Sequence, residues 1–231
     1  MSTKTLVLAG LMTALVIVFQ CLATYTTFFG PFSTAIGLIP IAIGAILCGP
    51  IVGGWLGLVF GAVVLLTGGA NLFFAFSIPG TVITVLLKGM ACGIAAGFVN
   101  KLLSKFNKTV AVIAAAIVCP VVNTGVFLLG SAIFFMPYAE EIAATVKIEG
   151  AGFAVFIALA FGNFLFELGM NAVLSPVMVT IINVAEKTFG KNKAKSEPAK
   201  ASEESKVEEP SHEAEPEALS KSEPSDSVNE E

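Results

Sequence analysis

The chain has no arginine, and its one histidine, His212, sits in a polar stretch close to the C-terminal end. A His-based metal site or a Ser–His pair therefore cannot form in the rest of the molecule. No GxxxxGK[ST] run occurs, so the chain has no phosphate-cradling loop of its own. Charged residues are scarce, at 13%. The four cysteines (Cys21, Cys48, Cys92, Cys119) each fall in a different apolar run. Their spacing matches no metal motif, and they read as small hydrophobes. These absences remove nucleotide-driven chemistry and most intramembrane hydrolysis. Binding or transport remains, and no enzymatic activity, cofactor, metal or nucleic-acid partner is expected.

What the chain does have is apolar sequence. Hydrophobic residues make up 55% and the mean hydropathy is +0.86. Those averages join two unlike parts. Residues 1–190 hold seven Lys and five Glu, a net charge of +2, and several long apolar runs. Such runs mark an integral membrane domain. Residues 191–231 hold six Lys and twelve acids, a net of −6. Rich in Glu, Ser, Pro and Lys, this acidic tail has too little apolar surface to offset its ordering entropy and reads as disordered. The first apolar run follows a lone lysine and precedes no small-residue cleavage site. It reads as a first span rather than a removable signal.

A helix crosses a bilayer in about 20 apolar residues. On that ruler the expected spans are 5–25, 35–49, 51–68, 80–100, 109–134 and 153–185. The second and third are short and separated by "CGPIVGG", whose Gly-Pro cluster breaks a helix and predicts a tight hairpin. Five spans with a re-entrant pair is the alternative. Lys4, then Lys101, Lys105 and Lys108, then Lys187 to Lys195 all fall on one side of a six-span chain. The excess of lysine makes that side cytoplasmic, with both termini on it. The connection at 135–152, with Glu140, Glu141 and Glu149, then lies outside. The expectation is an all-α bundle of six transmembrane helices.

Two ionisable side chains lie deep in the apolar runs, Lys88 and Glu167. A charge at a helix centre costs about 2.5–3.5 kcal/mol on insertion scales, so such residues face a bundle interior or a site. They either form a buried salt bridge that fixes packing or contact a polar ligand. Asn163, Glu167 and Asn171 recur every four residues and share one helical face. Pro176 follows and should kink the helix or release a carbonyl near Ala172. Asn123, in "CPVVNTGVFLLG", adds an amide from the preceding span. Each Asn is either an interhelical hydrogen bond or part of a ligand site. Asn71, in "TGGANLFFAFSIPG", belongs to an aromatic and polar stretch suited to lining a pocket or to sitting at the bilayer surface. The residues leave two functions open: a substrate-binding transport subunit, or a self-contained carrier or channel using Glu167 and Lys88 as an ion relay.

The run "FGPFSTAIGLIPIAIGAILCGPIVGGWLGLVFGAVVLL" resembles the second and third helices of the substrate-binding membrane subunits of energy-coupling factor (ECF) transporters. Their "GxLxGPxxGxxxG" hairpin is matched at Gly44, Leu47, Gly49, Pro50, Gly53 and Gly57, with one residue of slippage. "FELGMNAVLSP", with Glu167, Asn171 and Pro176, resembles their last helix. The likeness covers residues 1–190 and leaves the tail out. It implies a subunit of a prokaryotic plasma membrane that binds a vitamin or micronutrient near the outer face. Such a subunit docks on a scaffold membrane protein powered by two ATPases. A lone deep lysine suits a carboxylate-bearing vitamin. The connections "YTTFFGPFSTA", "TGGANLFFAFSIPG" and 135–152 would then cap the substrate. The family's docking "AxxxA" in the first helix has its nearest matches here at Ala9/Thr13 and Gly10/Ala14, which keep small side chains four apart.

Overall fold

The computed structural model describes residues 3–25 and 37–207, with side chains to position 184 except that of Tyr25. Most of the first outer connection, the tail beyond Val207 and His212 lie outside the described residues. Every regular element among the described residues is helical: α1 Thr3–Tyr25, α2 Leu38–Cys48, α3 Pro50–Leu66, α4 Asn71–Phe74, α5 Ile78–Leu103, α6 Lys108–Phe134, α7 Ala139–Val146 and α8 Phe153–Val207. The chain divides into two units, Met1–Glu186 and Lys187–Glu231. In the second, the backbone is helical as far as Val207.

Among the described residues, four stretches are long and apolar enough to cross a membrane: Thr3–Thr24, Ile78–Leu103, Lys108–Phe134 and Phe153–Val184. Two shorter apolar helices, Leu38–Cys48 and Pro50–Leu66, stand between the first and second of these. The break between the short pair is the expected Gly-Pro hairpin. Gly49 takes φ +92, a value that L side chains rarely adopt, and Pro50 opens α3 where no amide N–H is needed. Ser77 and Asn107 cap α5 and α6 by accepting from Gly80 N and Val110 N, both at 3.2 Å. Their β-region backbone and short polar side chains are what a helix start requires.

Helix directions follow from contacts at the ends. The hydroxyls of Thr24 and Thr67, 3.1 Å apart, join the C-terminal ends of α1 and α3. Asn100 donates to the Ile46 carbonyl at 3.4 Å, which joins the C-terminal ends of α2 and α5.

The interior is tight on one side and loose on the other. Gly53, Gly57 and Gly61 form a stripe on α3, and Gly89, Gly93 and Gly97 form one on α5. A Cβ at Gly57 would strike the Gly89 carbonyl, one at Gly53 the Gly93 carbonyl, and one at Gly97 would come 2.5 Å from Pro50 Cα. Only glycine permits backbones this close, and van der Waals contact between them replaces the hydrophobic drive that lipid removes. α8 instead meets the bundle through long side chains: Phe156 and Leu159 near its start, Met178 and Ile182 near the end of its apolar stretch. Between those two contacts the buried face of α8 is polar, formed by Glu167, Asn171 and Ser175, and a small cavity opens beside it.

The connections at 67–77 and 135–152 contain helices that hydropathy had not separated from loop. α7 carries Glu140 and Glu141 in its first turn and buries Ala139, Ile142 and Ala143 on its other face. Negative charge at a helix N-terminus and a short apolar stripe are enough to fold eight residues against a ready surface. Phe73 of α4, Phe135 and Ile142 join Phe156 in a second core over this end of the bundle.

Candidate functional site

The gap beside α8 is where the polar residues meet. Glu167 is 2% exposed, and both of its carboxylate oxygens accept hydrogen bonds. Asn163 Nδ2, one turn back on α8, donates to Oε1 at 2.6 Å. Asn123 Nδ2, from α6, donates to Oε2 at 3.3 Å. Asn171, one turn further on, donates to the Glu167 backbone carbonyl at 2.9 Å. The four-residue spacing read from sequence is therefore a ladder along α8, held to α6 at its central rung.

Lys88 enters from α5. Its ammonium lies 5.6 Å from the centroid of the Phe127 ring of α6, in cation–π range. Lys88 and Glu167 interact through their charges but form no salt bridge. The salt-bridge alternative thus gives way to a different arrangement: two amides hold the acid and an aromatic face holds the base. The reason is depth, worked from about 1.5 Å of rise per residue. Lys88, Asn123 and Glu167 lie roughly 15–21 Å from the ends of α5, α6 and α8 that border the 67–77 and 135–152 connections. The three lie within about one helical turn of each other in depth, and α6 meets both partners, Lys88 through Phe127 and Glu167 through Asn123.

Two small cavities adjoin this cluster. One, of about 30 Å³, is lined by Lys88, Asn123, Thr124, Phe127, Leu159 and Asn163 among others. The second, of about 20 Å³, has Lys88 and Phe127 in common with the first and adds Phe73, Thr81, Thr84 and Phe135. The Lys88–Phe127 pair is the partition between them. Each has room for a water-sized occupant. Asn123 Oδ1, which belongs to the first cavity's lining residue, and Thr84 Oγ1, which belongs to the second's, are buried with no hydrogen-bond partner among the described residues. Buried polar atoms normally find partners, so each such oxygen calls for an explanation. The cavities are roofed by aromatics: Phe73 packs on Phe127 at 5.5 Å and on Phe135 at 4.9 Å.

A larger cavity of about 190 Å³ lies at the opposite end of the bundle, bordered by Asn100, Ser104, Lys108, Thr109 and Asn183. Asn100, Ser104, Lys108 and Thr109 sit at the facing ends of α5 and α6. None of its atoms is a buried, unsatisfied acceptor among the described residues. A groove of about 420 Å³ between α3 and α5, with Trp55 and Phe98 on its walls, is apolar throughout and faces outward.

Four of the residues singled out from sequence (Lys88, Asn123, Asn163 and Glu167) come together. Asn171 braces them from one turn away, its own Oδ1 buried without a partner among the described residues. Asn71 begins α4, is exposed and lies outside both cavities. Sequence reading missed Phe127, Thr124 and Thr84. Phe127 was detectable: it follows Asn123 on α6 by four residues and so shares its face. On α1, Ala9 turns into the core while Gly10 and Ala14 face outward. Thr13 bonds back to the Ala9 carbonyl at 2.8 Å. Pro176 leaves the Ala172 carbonyl without its helical donor, and Ser175 Oγ supplies one at 2.8 Å.

A family model described as "ECF transporter, substrate-specific component" matches residues 4–179. Among solved structures, one of ThiT from Listeria monocytogenes is similar at a TM-score of 0.57. It is 19% identical and the likeness covers 81% of this chain and 99% of that one. At that identity the likeness shows the fold alone. No curated protein matches the chain. The family match spans the hairpin, the glycine seam and the Glu167 ladder, and the chain belongs to the substrate-specific components of ECF transporters: a membrane transport subunit and not an enzyme.

Proposed function

We propose that this subunit binds a water-soluble vitamin or related micronutrient in the chamber formed by Lys88, Asn123, Asn163 and Glu167, for ATP-driven uptake. The observation that carries the reading is the convergence of Lys88, Asn123 and Asn163, from three helices, on a cavity bordered by an unpartnered oxygen, with Glu167 holding the two amides from behind. A purely structural network would satisfy its own atoms, because an unpaired buried acceptor costs about 1–3 kcal/mol. A ligand that completes those bonds recovers that cost on binding. In the present state each cavity is only water-sized. A vitamin-sized ligand enters by parting Lys88 from Phe127, which merges the two cavities under the Phe73–Phe135 roof. Asn171 holds the ladder from below, and Asn71, at the exposed start of α4, is kept as an outer contact.

The chain carries no nucleotide-binding loop, so the energy comes from partners: a scaffold membrane subunit and two cytoplasmic ATPases. Gly10 and Ala14 make the small outward face of α1 on which the scaffold docks. The lysine distribution supports six spans in a plasma membrane with both termini cytoplasmic, the 135–152 connection outside and residues 191–231 as an appended acidic tail. The test is uptake into proteoliposomes. Co-reconstitution with the scaffold and ATPases gives accumulation of the bound vitamin that requires ATP. Uptake by the subunit alone, driven by a pH gradient without nucleotide, would replace this reading with an ion-coupled carrier.

A further inference from the structure

Glu167 is the acid that drew attention to the site, yet both of its oxygens already accept from amides and it lines neither cavity. Its Oε1 and Oε2 are each occupied by an amide donor, Asn163 Nδ2 at 2.6 Å and Asn123 Nδ2 at 3.3 Å. An ionised carboxylate only accepts hydrogen bonds, so it settles the orientation of both amides: nitrogen toward Glu167, oxygen away. For Asn123, 2% exposed, the oxygen so turned is buried and accepts from no group among the described residues. Asn163 borders the same cavity from the facing helix. The cavity's other polar side chains are Thr124 and Lys88, whose ammonium has three N–H donors and rests on the Phe127 face. The chamber therefore offers one cation and, a helix away, carbonyl acceptors. It offers no free anion.

From this arrangement we infer that the ligand is a small carboxylic acid that also carries an N–H or O–H donor, with its carboxylate on Lys88 and its donor on the Asn123 carbonyl. Glu167 is a positioning residue that acts through the two amides without touching the ligand. The inference rests on the chamber being the substrate site, as proposed above. It disfavours cationic vitamins, because Lys88 repels them and Glu167 lines neither cavity. It also gives the buried acid a role that a salt bridge to Lys88 could not fill, since pairing the two would consume the ammonium that the ligand needs.

The test uses the full chain in lipid nanodiscs and a panel of water-soluble vitamins as probes. Each acid is paired with its methyl ester and with the analogue methylated at its N–H or O–H donor. For the acid that binds, esterification and donor methylation are each expected to weaken binding at least tenfold in the unmodified protein, and the N-methyl and O-methyl analogues tell which donor is used. Lys88→Met should abolish the preference for acid over ester and leave the donor preference intact. Glu167→Gln should do the reverse. A Gln amide can accept or donate, so Asn123 becomes free to turn its NH₂ to the ligand and the methylated analogue is no longer disfavoured. A general loss of packing would scale all affinities alike and would not separate the two ratios. An uncharged or cationic vitamin that binds, and is weakened by Asn163→Leu, overturns the ligand class while the chamber remains the site. A vitamin that binds with the same affinity in Asn163→Leu and Lys88→Met overturns both the class and the site.

Discussion

Replacing Gly57 by alanine should open the α3–α5 seam, and the size of the effect can be worked from the contacts there. The new Cβ would strike the Gly89 carbonyl oxygen and lie 3.0 Å from the Met90 amide nitrogen. Both are backbone atoms of α5, so no rotamer change relieves the overlap, and the helices must separate by about 1 Å at the crossing. A radial gap of 0.5–1 Å forfeits roughly a quarter to a half of each dispersion contact beside it. Overpacking of this kind costs about 1–3 kcal/mol, occasionally more. The gain in helix propensity from Gly to Ala is at most about 1 kcal/mol. Because the overlap is with backbone, the upper end of that cost applies and the expected net loss is about 2 kcal/mol, or roughly 4–8 °C in melting temperature for a domain this long. Two controls grade the effect. At Gly61 the Cβ would come 2.9 Å from the Val85 carbonyl, so Gly61→Ala should cost about 1 kcal/mol or less. At Gly10 nothing lies within 4 Å, so Gly10→Ala should be neutral or slightly stabilising. Thermal denaturation in detergent, followed by gel filtration and by the fluorescence of Trp55 on α3, gives the order. A Gly57→Ala protein that melts at or above the parent temperature would refute the seam.

Three further outcomes are expected. Truncation after Lys191 should leave melting temperature and vitamin affinity unchanged, since the tail's composition has little to pack; a large drop in melting temperature would assign it a structural role. Gly10→Leu and Ala14→Leu should bind vitamin normally and fail in uptake, because both positions face outward on α1 and bulk there keeps the scaffold away; normal transport by these variants would move the docking face elsewhere. Ser175→Ala leaves the Ala172 carbonyl without its substitute donor and should destabilise the protein by about 0.6 kcal/mol, the average for such bonds in membrane helices; unchanged melting would mean that water takes the position.

Much of this architecture can be read from residue order alone, for identifiable reasons. Helices in lipid must satisfy their own backbones, so hydropathy finds the apolar segments to within a few residues. The Gly49–Pro50 break follows from φ restrictions, and the Asn163–Glu167–Asn171 face from helical period. Partner choice was harder. Lys88 and Glu167 invite pairing on charge grounds, but which side chain reaches Glu167 depends on how α6 meets α5 and α8. Asn123 takes the contact because it lies within about one helical turn of Glu167 in depth. The seam was half visible: Gly53 and Gly57 belong to the hairpin motif, but their opposite numbers Gly89, Gly93 and Gly97 repeat at the same spacing of four and passed unremarked. α7 was hidden because eight residues with two acids look like a loop to any window long enough to detect a span.

The central claim is that the Lys88–Asn123–Asn163–Glu167 chamber is the substrate site. The most direct measurement is titration calorimetry of Asn163→Leu with the tightest-binding vitamin. Asn163 is half-buried at the chamber's edge, so its replacement perturbs the fold less than changes at the buried Glu167 or Asn123. Loss of its contacts should weaken binding at least tenfold, about 1.4 kcal/mol, while loss of its bond to the buried Glu167 lowers the melting temperature by a few degrees and leaves the protein folded. An affinity indistinguishable from the parent's, in a folded protein, would contradict the account.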